Sequence, residues 1–284
     1  MKFKARAAEP KASSAIAEIR PGQSIELLKE LHILTREGML NQDSRRKLKQ
    51  VYHLYQFIEP LLDELANDRI DFTIADHGAG KSYLGFILYD LFVKARPNGH
   101  VYGIETRADL VEKSIELAAR LGFERMSFLN LSVEESIRSP LLPGSVDVVT
   151  ALHACDTATD DAIRFGLHKQ ARFIVLVPCC QAEVAKTLRQ NKADSLRHNV
   201  WSELWRHPVH TREFGSQVTN VLRCLQLQAH GYQVTVTELI GWEHSMKNEL
   251  ILATRTSNPN DAARGRLHRL LEELSLEKLE ARFG

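Results

Sequence analysis

Cysteine is scarce in this chain, with Cys155, Cys179, Cys180 and Cys224 among 284 residues, two of them adjacent. So few thiols exclude a disulfide framework at this length and point to a reducing compartment, so a cytoplasmic location is expected. Long apolar runs are missing too. Nothing approaches the roughly 18 residues of a membrane span, and the basic opening "MKFKARAAEPKASSAIAEIR" lacks the apolar core of a secretory signal. Neither sign of charge is in excess: 37 Lys and Arg stand against 36 Asp and Glu. A net charge of +1 excludes a wholesale polyanion binder, so any nucleic-acid surface must be a local patch. Internal repeats and low-complexity segments are absent as well.

What is present is the composition of a soluble globular protein, 44% hydrophobic and 26% charged. Residues 1–22 read as a flexible basic tail ending at "RPGQS", with Ser24 as a helix N-cap. Residues 23–69 read as a helical extension. Its second helix is capped by Ser44 and carries an apolar stripe through Leu48, Val51, Leu54, Phe57 or Ile58, Leu61 and Leu62. From residue 70 the pattern changes to short apolar runs alternating with helical periods, the signature of a parallel α/β sheet. "DFTIAD", "HVYGIE", "MSFLN", "VDVVTALHA" and "RFIVLVP" are the strands. "YQVTVTELI" and "ELILATR" follow, joined too closely for a helical crossover, so this last pair is expected to be antiparallel. The domain spans 70–256, with a basic, tryptophan-containing insert at 181–212. A helical tail occupies 257–284.

The stretch "DHGAGKS" follows the first strand and looks like a phosphate loop. That loop requires G-x-x-x-x-G-K-[ST], yet the position five before Gly80 is Ala75, inside the strand. The dinucleotide pattern G-x-G-x-x-G fails at its third glycine, where Tyr83 stands. An acid-x-Gly-x-Gly pattern remains, Asp76, Gly78 and Gly80, with a second acid, Glu105, closing the next strand. Glycines let a backbone approach a ligand closely, and a carboxylate accepts hydrogen bonds from two ribose hydroxyls. Lys81 and Ser82 read as the first turn of the following helix.

In these residues the chain resembles the class I S-adenosylmethionine-dependent methyltransferases. "ALHACDTATDDAI", "VPCCQ" and "EHSMKNELI" are similar to a subfamily that includes eukaryotic tRNA acceptor-stem 2'-O-methyltransferases, and "KLKQVYHLYQFIE" resembles its entry helix. The resemblance covers about residues 45–256. It implies a Rossmann-like class I methyltransferase fold: a seven-stranded, mostly parallel sheet with an antiparallel terminal strand. It also implies S-adenosylmethionine as cofactor. Asp76, His77, Gly78, Gly80, Glu105, Asn130, Leu131, Ser132 and Ala151 are its expected contacts, with Asn130 to Ser132 facing the adenine.

His153, Cys155, Asp156, Cys179 and Cys180 would then gather on the methyl-transfer side. Three readings of them stay open: Cys179 or Cys180 as a nucleophile toward a pyrimidine carbon, a zinc site using His153 and the cysteines, or plain packing. No C-x-x-C spacing supports zinc, and no metal is expected. For a hydroxyl acceptor, His153 and Asp156 are the candidate bases. The [DN]-P-P-[YF] tetrapeptide used on exocyclic amines is absent. In the insert, Arg197, Trp201 and Trp205 suit phosphates and base stacking, and Lys247 and Asn248 join them as substrate-side candidates; an ordinary solvated helix fits the insert nearly as well. RNA is the expected acceptor. A small molecule or protein side chain is the first rival, and a non-catalytic partner-binding subunit the second.

Overall fold

A computed structural model describes residues 18–68, 71–152, 154, 156–179, 181–190, 200–239, 248–256 and 258–284. Most of the expected tail at 1–22 lies outside these residues, as do His153, Cys155, Cys180, Arg197 and Lys247.

Seven strands form one sheet: β1 (Thr73–His77), β2 (His100–Glu105), β3 (Met126–Asn130), β4 (Val148–Leu152), β5 (Phe173–Val177), β6 (Tyr232–Glu238) and β7 (Glu249–Arg255). Their order is β3-β2-β1-β4-β5-β7-β6, parallel from β3 to β5, with β7 antiparallel to both neighbours. The expected fold class is therefore met. Helices cover both faces, so β5 is apolar and buried at every position. Side chains alternate across the sheet: Ile74 joins one core layer and Ala75 the other. The strand order reverses between β1 and β4, which opens a crevice above their carboxyl ends.

Helix α1 (Ile25–Glu30) is capped as expected, with Ser24 Oγ accepting from the Leu27 amide. Helix α2 (Gln42–Asp68) starts earlier than its pattern suggests. Asn41 is its capping side chain, Oδ1 accepting from the Ser44 amide at 2.8 Å, and Ser44 is buried within the first turn. Leu54, Ile58 and Leu62 of its apolar stripe pack into the same layer as Ile74 and Leu84, whereas Leu48 and Val51 pack with Leu28 and Ile87. Arg172, just before β5, pairs with Glu64 and Asp68. The end of α2 thus sits at the amino edge of the sheet, and its first turns reach the carboxyl edge.

Next come α3 (Tyr83–Leu88), running on through a π turn at Tyr89–Val93, and α4 (Ala108–Leu121), closed by Gly122 at φ 68°. Helices α5 (Val133–Arg138) and α6 (Thr157–His168) follow. Beyond β5 lie α7 (Glu183–Gln190), a 3₁₀ segment (Val200–Trp205) and α8 (Pro208–Ala229), then α9 (Asp261–Glu273) and α10 (Glu280–Phe283) after the sheet. These last pieces are not appendages. Val184, Trp205, Leu222, Leu267 and Phe283 share one apolar cluster, so the insert and the C-terminal helices build a second core together.

Candidate active site

The glycine loop turns back over the end of β2 through three left-handed residues, Gly78 (φ 65°), Gly80 (φ 60°) and Ser82 (φ 49°). Only glycine takes that conformation without a Cβ penalty. Ser82 therefore precedes α3 rather than opening it. The Ala79 amide donates to the Ile104 carbonyl at 3.0 Å, and the Gly80 amide to Glu105 Oε2 at 2.7 Å.

Asp76 lies beneath the loop, 2% exposed. Its Oδ1 accepts from Thr150 Oγ1 at 2.9 Å, and its Oδ2 from Ser82 Oγ at 3.1 Å and the Gly85 amide at 3.2 Å. Burial dominates those bonds and, helped by the negative Glu105, pushes its pKa up to about 6. Gly85 is a requirement of this arrangement: a Cβ there would stand 2.5 Å from Ser82 Oγ and 3.3 Å from Asp76 Oδ2. It serves the close approach that the dinucleotide pattern places at Tyr83, two residues earlier. "YLGF" was the available signal.

Glu105 is the opposite electrostatic case. Burial raises its pKa, but hydrogen bonds from the Arg107 side chain, the Arg107 amide and the Gly80 amide outweigh it and hold the carboxyl at about 2. Arg107 Nε and Nη2 lie 3.1 and 3.2 Å from its two oxygens, and the Thr106 amide adds a third backbone donor. Asn130 Nδ2 and the Leu131 amide donate to the Glu105 carbonyl at 3.0 and 3.2 Å, which fastens the end of β3 beside it. Ser132 is otherwise engaged, forming a capping box with Glu135 at the start of α5.

A cleft of ≈ 390 Å³ opens here, its floor formed by Asp76, Gly78, Gly80 and Leu152. The facing wall is α2, through Lys47, Gln50, Val51 and Leu54. That wall was not foreseen, nor was Arg107 at the rim.

Three expected contacts fall elsewhere. His77 alternates to the far side of β1, where its ring meets Phe165 at 5.1 Å between centroids; neither ring nitrogen has a partner among the described residues, and burial drives its pKa down to about 4. Ala151 likewise faces the other core layer, and Leu152, one position on, is the residue in the cleft. Asp156 (φ 51°, ψ −118°) acts as a cap rather than a base. Its Oδ1 accepts from the Ala182 and Glu183 amides at 2.9 and 3.3 Å, which ties the β4 loop to α7.

On the acceptor side, Cys179 is half-buried just past β5. Among the described residues no group of three His, Cys, Asp or Glu is disposed to hold a metal ion. His153 and Cys155 of the zinc reading, and Cys180, which shares the nucleophile reading with Cys179, lie outside those residues. Trp201 is 63% exposed, whereas Trp205 is fully buried and stacked on Phe214, which removes it from any substrate surface. The Asn248 side chain donates to Glu238 across the β6–β7 hairpin.

Residues 46–187, half of the chain, match a family described as "Methyltransferase domain". The chain belongs to that family. The matched segment starts within α2 and ends in α7, so it takes in both walls of the cleft. This assigns the protein to the methyltransferases. Among curated proteins, the chain is 24% identical over 235 residues to the mouse glutathione S-transferase C-terminal domain-containing protein, covering 76% of this chain and 34% of the relative. The frog (Xenopus laevis) protein of that name is 23% identical over 199 residues, covering 64% of this chain and 31% of its own length. The chain thus spans about a third of the curated relatives it matches. Among solved structures it is similar to the Methanococcus jannaschii fibrillarin pre-rRNA processing protein, with TM-score 0.43, 12% identity and coverage of 66% of this chain and 68% of the other. No helix among the described residues is long and apolar enough to cross a membrane.

Proposed function

We propose that this methyltransferase uses S-adenosylmethionine and methylates a nucleotide of RNA. The observation that carries the cofactor half is the loop at the strand-order reversal, where Gly78 and Gly80 expose backbone to the cleft and Gly80 clasps Glu105. The residues fit the group. A Cβ added at Gly80 would meet nothing nearer than Arg107 Nη2, at 3.7 Å, so the space above the turn is open to a ligand. Glu105, ionised at any ordinary pH, is the acceptor suited to a pair of ribose hydroxyls. Arg107, 62% exposed, would give way to them.

When bound, the cofactor supplies an electrophilic methyl group. The chain's own residues then have to place an oxygen or nitrogen acceptor in line and exclude water. Asp76 is a poor base for that acceptor, because three hydrogen bonds already hold its oxygens. Asp156 is engaged in the same way at α7. Their work is to position the glycine loop and the β4 loop.

The acceptor half is supported by the surface beyond β5. Trp201 stands exposed there, offering an indole face for base stacking, and Arg206 and Arg212, close to it in sequence and exposed in surface ion pairs with Glu203 and Glu213, are cations that a phosphate could draw away. Incubating the protein with methyl-labelled S-adenosylmethionine and separated RNA, protein and small-metabolite fractions tests the proposal. Label in RNA that falls in a Trp201→Ala variant is expected. Label confined to metabolites or protein would refute the RNA acceptor, and failure to bind the cofactor in calorimetry would refute the cofactor.

A further inference from the structure

The wall of the cleft facing the glycine loop carries two polar side chains. Lys47 and Gln50 lie one turn apart on α2, on the stripe that faces Gly78 and Leu152. Glu105 belongs to β2, on one flank of β1, whereas α2 packs toward β5 on the other. A ligand whose diol meets Glu105 and whose body crosses the glycine loop would therefore bring its far end to α2. In S-adenosylmethionine that end is an α-amino acid, and its carboxylate is the one anionic group of the molecule.

A carboxylate entering a cleft lined by Asp76, with Glu105 just behind Gly80 and Arg107, needs a cation. Three line the space: Lys47, Lys81 and Arg107. Arg107 is bound to Glu105 on the diol side. Lys81 sits at the outer rim, shared with a separate hollow between α1 and α4 that is bordered by Glu30, Leu117 and Arg120. Lys47 remains. Its ammonium contacts Asp43 at 2.8 Å and the His32 carbonyl at 3.2 Å. Both side chains of that ion pair are over a third exposed, and such surface pairs contribute little, so the ammonium can exchange partners readily. Resting on the reading of the cleft as the S-adenosylmethionine site, we infer that Lys47 and Gln50 hold the amino-acid end of the cofactor. Lys47 pairs with the carboxylate, and the Gln50 amide hydrogen-bonds the same end. The helical extension is thereby part of the binding site, not a preface to it.

The experiment compares two ligands that differ in that end alone. Calorimetry is run with S-adenosylhomocysteine and with 5'-methylthioadenosine, which has the same nucleoside but no amino-acid group. The wild-type protein is expected to bind the first more tightly. Lys47→Ala is expected to weaken S-adenosylhomocysteine about tenfold, the weight of one charge-assisted contact, and to leave methylthioadenosine unchanged. Gln50→Ala shifts the same ratio in the same direction, and Lys81→Ala leaves it alone. Undiminished S-adenosylhomocysteine binding by Lys47→Ala, equal loss of both ligands, or discrimination lost in Lys81→Ala instead would each overturn the inference. If the wild-type protein binds neither nucleoside, the cofactor reading itself falls and takes this inference with it, an outcome distinct from the other three.

Discussion

Arg223 tests the polar network that holds the loop after β4. Its side chain is 1% exposed and that of Asp160 6%, and the two meet in a bidentate pair with Nε to Oδ1 at 2.6 Å and Nη2 to Oδ2 at 2.9 Å. Nη2 also donates to the Asp156 carbonyl at 2.9 Å, and Nη1 to Asn220 Oδ1 at 3.2 Å. Arg223→Met preserves much of the volume but leaves the Asp160 carboxylate buried without its cation. Removing one partner of a buried pair costs about 3–5 kcal/mol, much of it the penalty for the stranded charge. Replacing both partners removes that penalty, so Arg223→Met/Asp160→Leu should be less destabilised than the sum of the single variants, with a coupling of about 2 kcal/mol. Urea midpoints at constant slope measure this cycle. Hydrogen exchange adds a local readout: the Ala182 and Glu183 amides, held by Asp156, should exchange faster in Arg223→Met while β1 is unaffected. A single-variant cost below about 1 kcal/mol, or simple additivity in the double variant, would refute the reasoning.

Four further outcomes follow from the same geometry. Asp76 has a folded pKa of about 6 against an ordinary 3.8, so its contribution to stability is complete below pH 3.8 and lost as pH rises to 6. Asp76→Asn should therefore gain relative to wild type by up to about 3 kcal/mol between pH 4 and pH 7 in urea titrations, and a difference independent of pH would contradict the shift. Gly85→Ala, outside the acid-x-Gly-x-Gly pattern, should abolish S-adenosylhomocysteine binding in calorimetry by displacing Ser82 and Asp76; retained affinity would show that the loop can yield. Trp205→Ala should cost about 3–5 kcal/mol in denaturant unfolding, and Trp201→Ala less than about 0.5 kcal/mol. Arg107→Ala should bind S-adenosylhomocysteine at least as tightly as wild type, since it removes a competitor for Glu105; a tenfold loss would make Arg107 a ligand contact instead.

How much of this was legible depended on whether a residue's role is encoded in its neighbours along the chain. Strands of a parallel sheet are buried on both faces, so "RFIVLVP" announces itself; for the same reason "VVTAL" does not reveal which of its residues point into the cleft. The one polar side chain there, Thr150, meets Asp76, and that contact sets Leu152 rather than Ala151 on the same face. One residue of register likewise separates Asp76 from His77, which the loop pattern had grouped together. Trp201 and Trp205 were paired by α-helical spacing, but their segment is 3₁₀. At roughly three residues per turn, positions four apart no longer share a face, so one indole is core and the other solvent-facing.

The wall of α2 was beyond reach for a different reason. On a helix, a polar side chain facing solvent and one facing a ligand carry the same letter, and only the packing of Leu54, Ile58 and Leu62 against the sheet decides where Gln50 and Lys47, one and two turns before Leu54 on the same face, point. That packing brings Lys47 and Gln50 to the wall of the crevice, where the Lys47 ammonium shares Asp43 with Arg46, while Arg45 on the same turn pairs with Glu18. The basic run "RRKLK" at 45–49 therefore serves more than one environment. Arg45 and Arg46 answer to Glu18 and Asp43, while Lys47 also answers to whatever occupies the cleft.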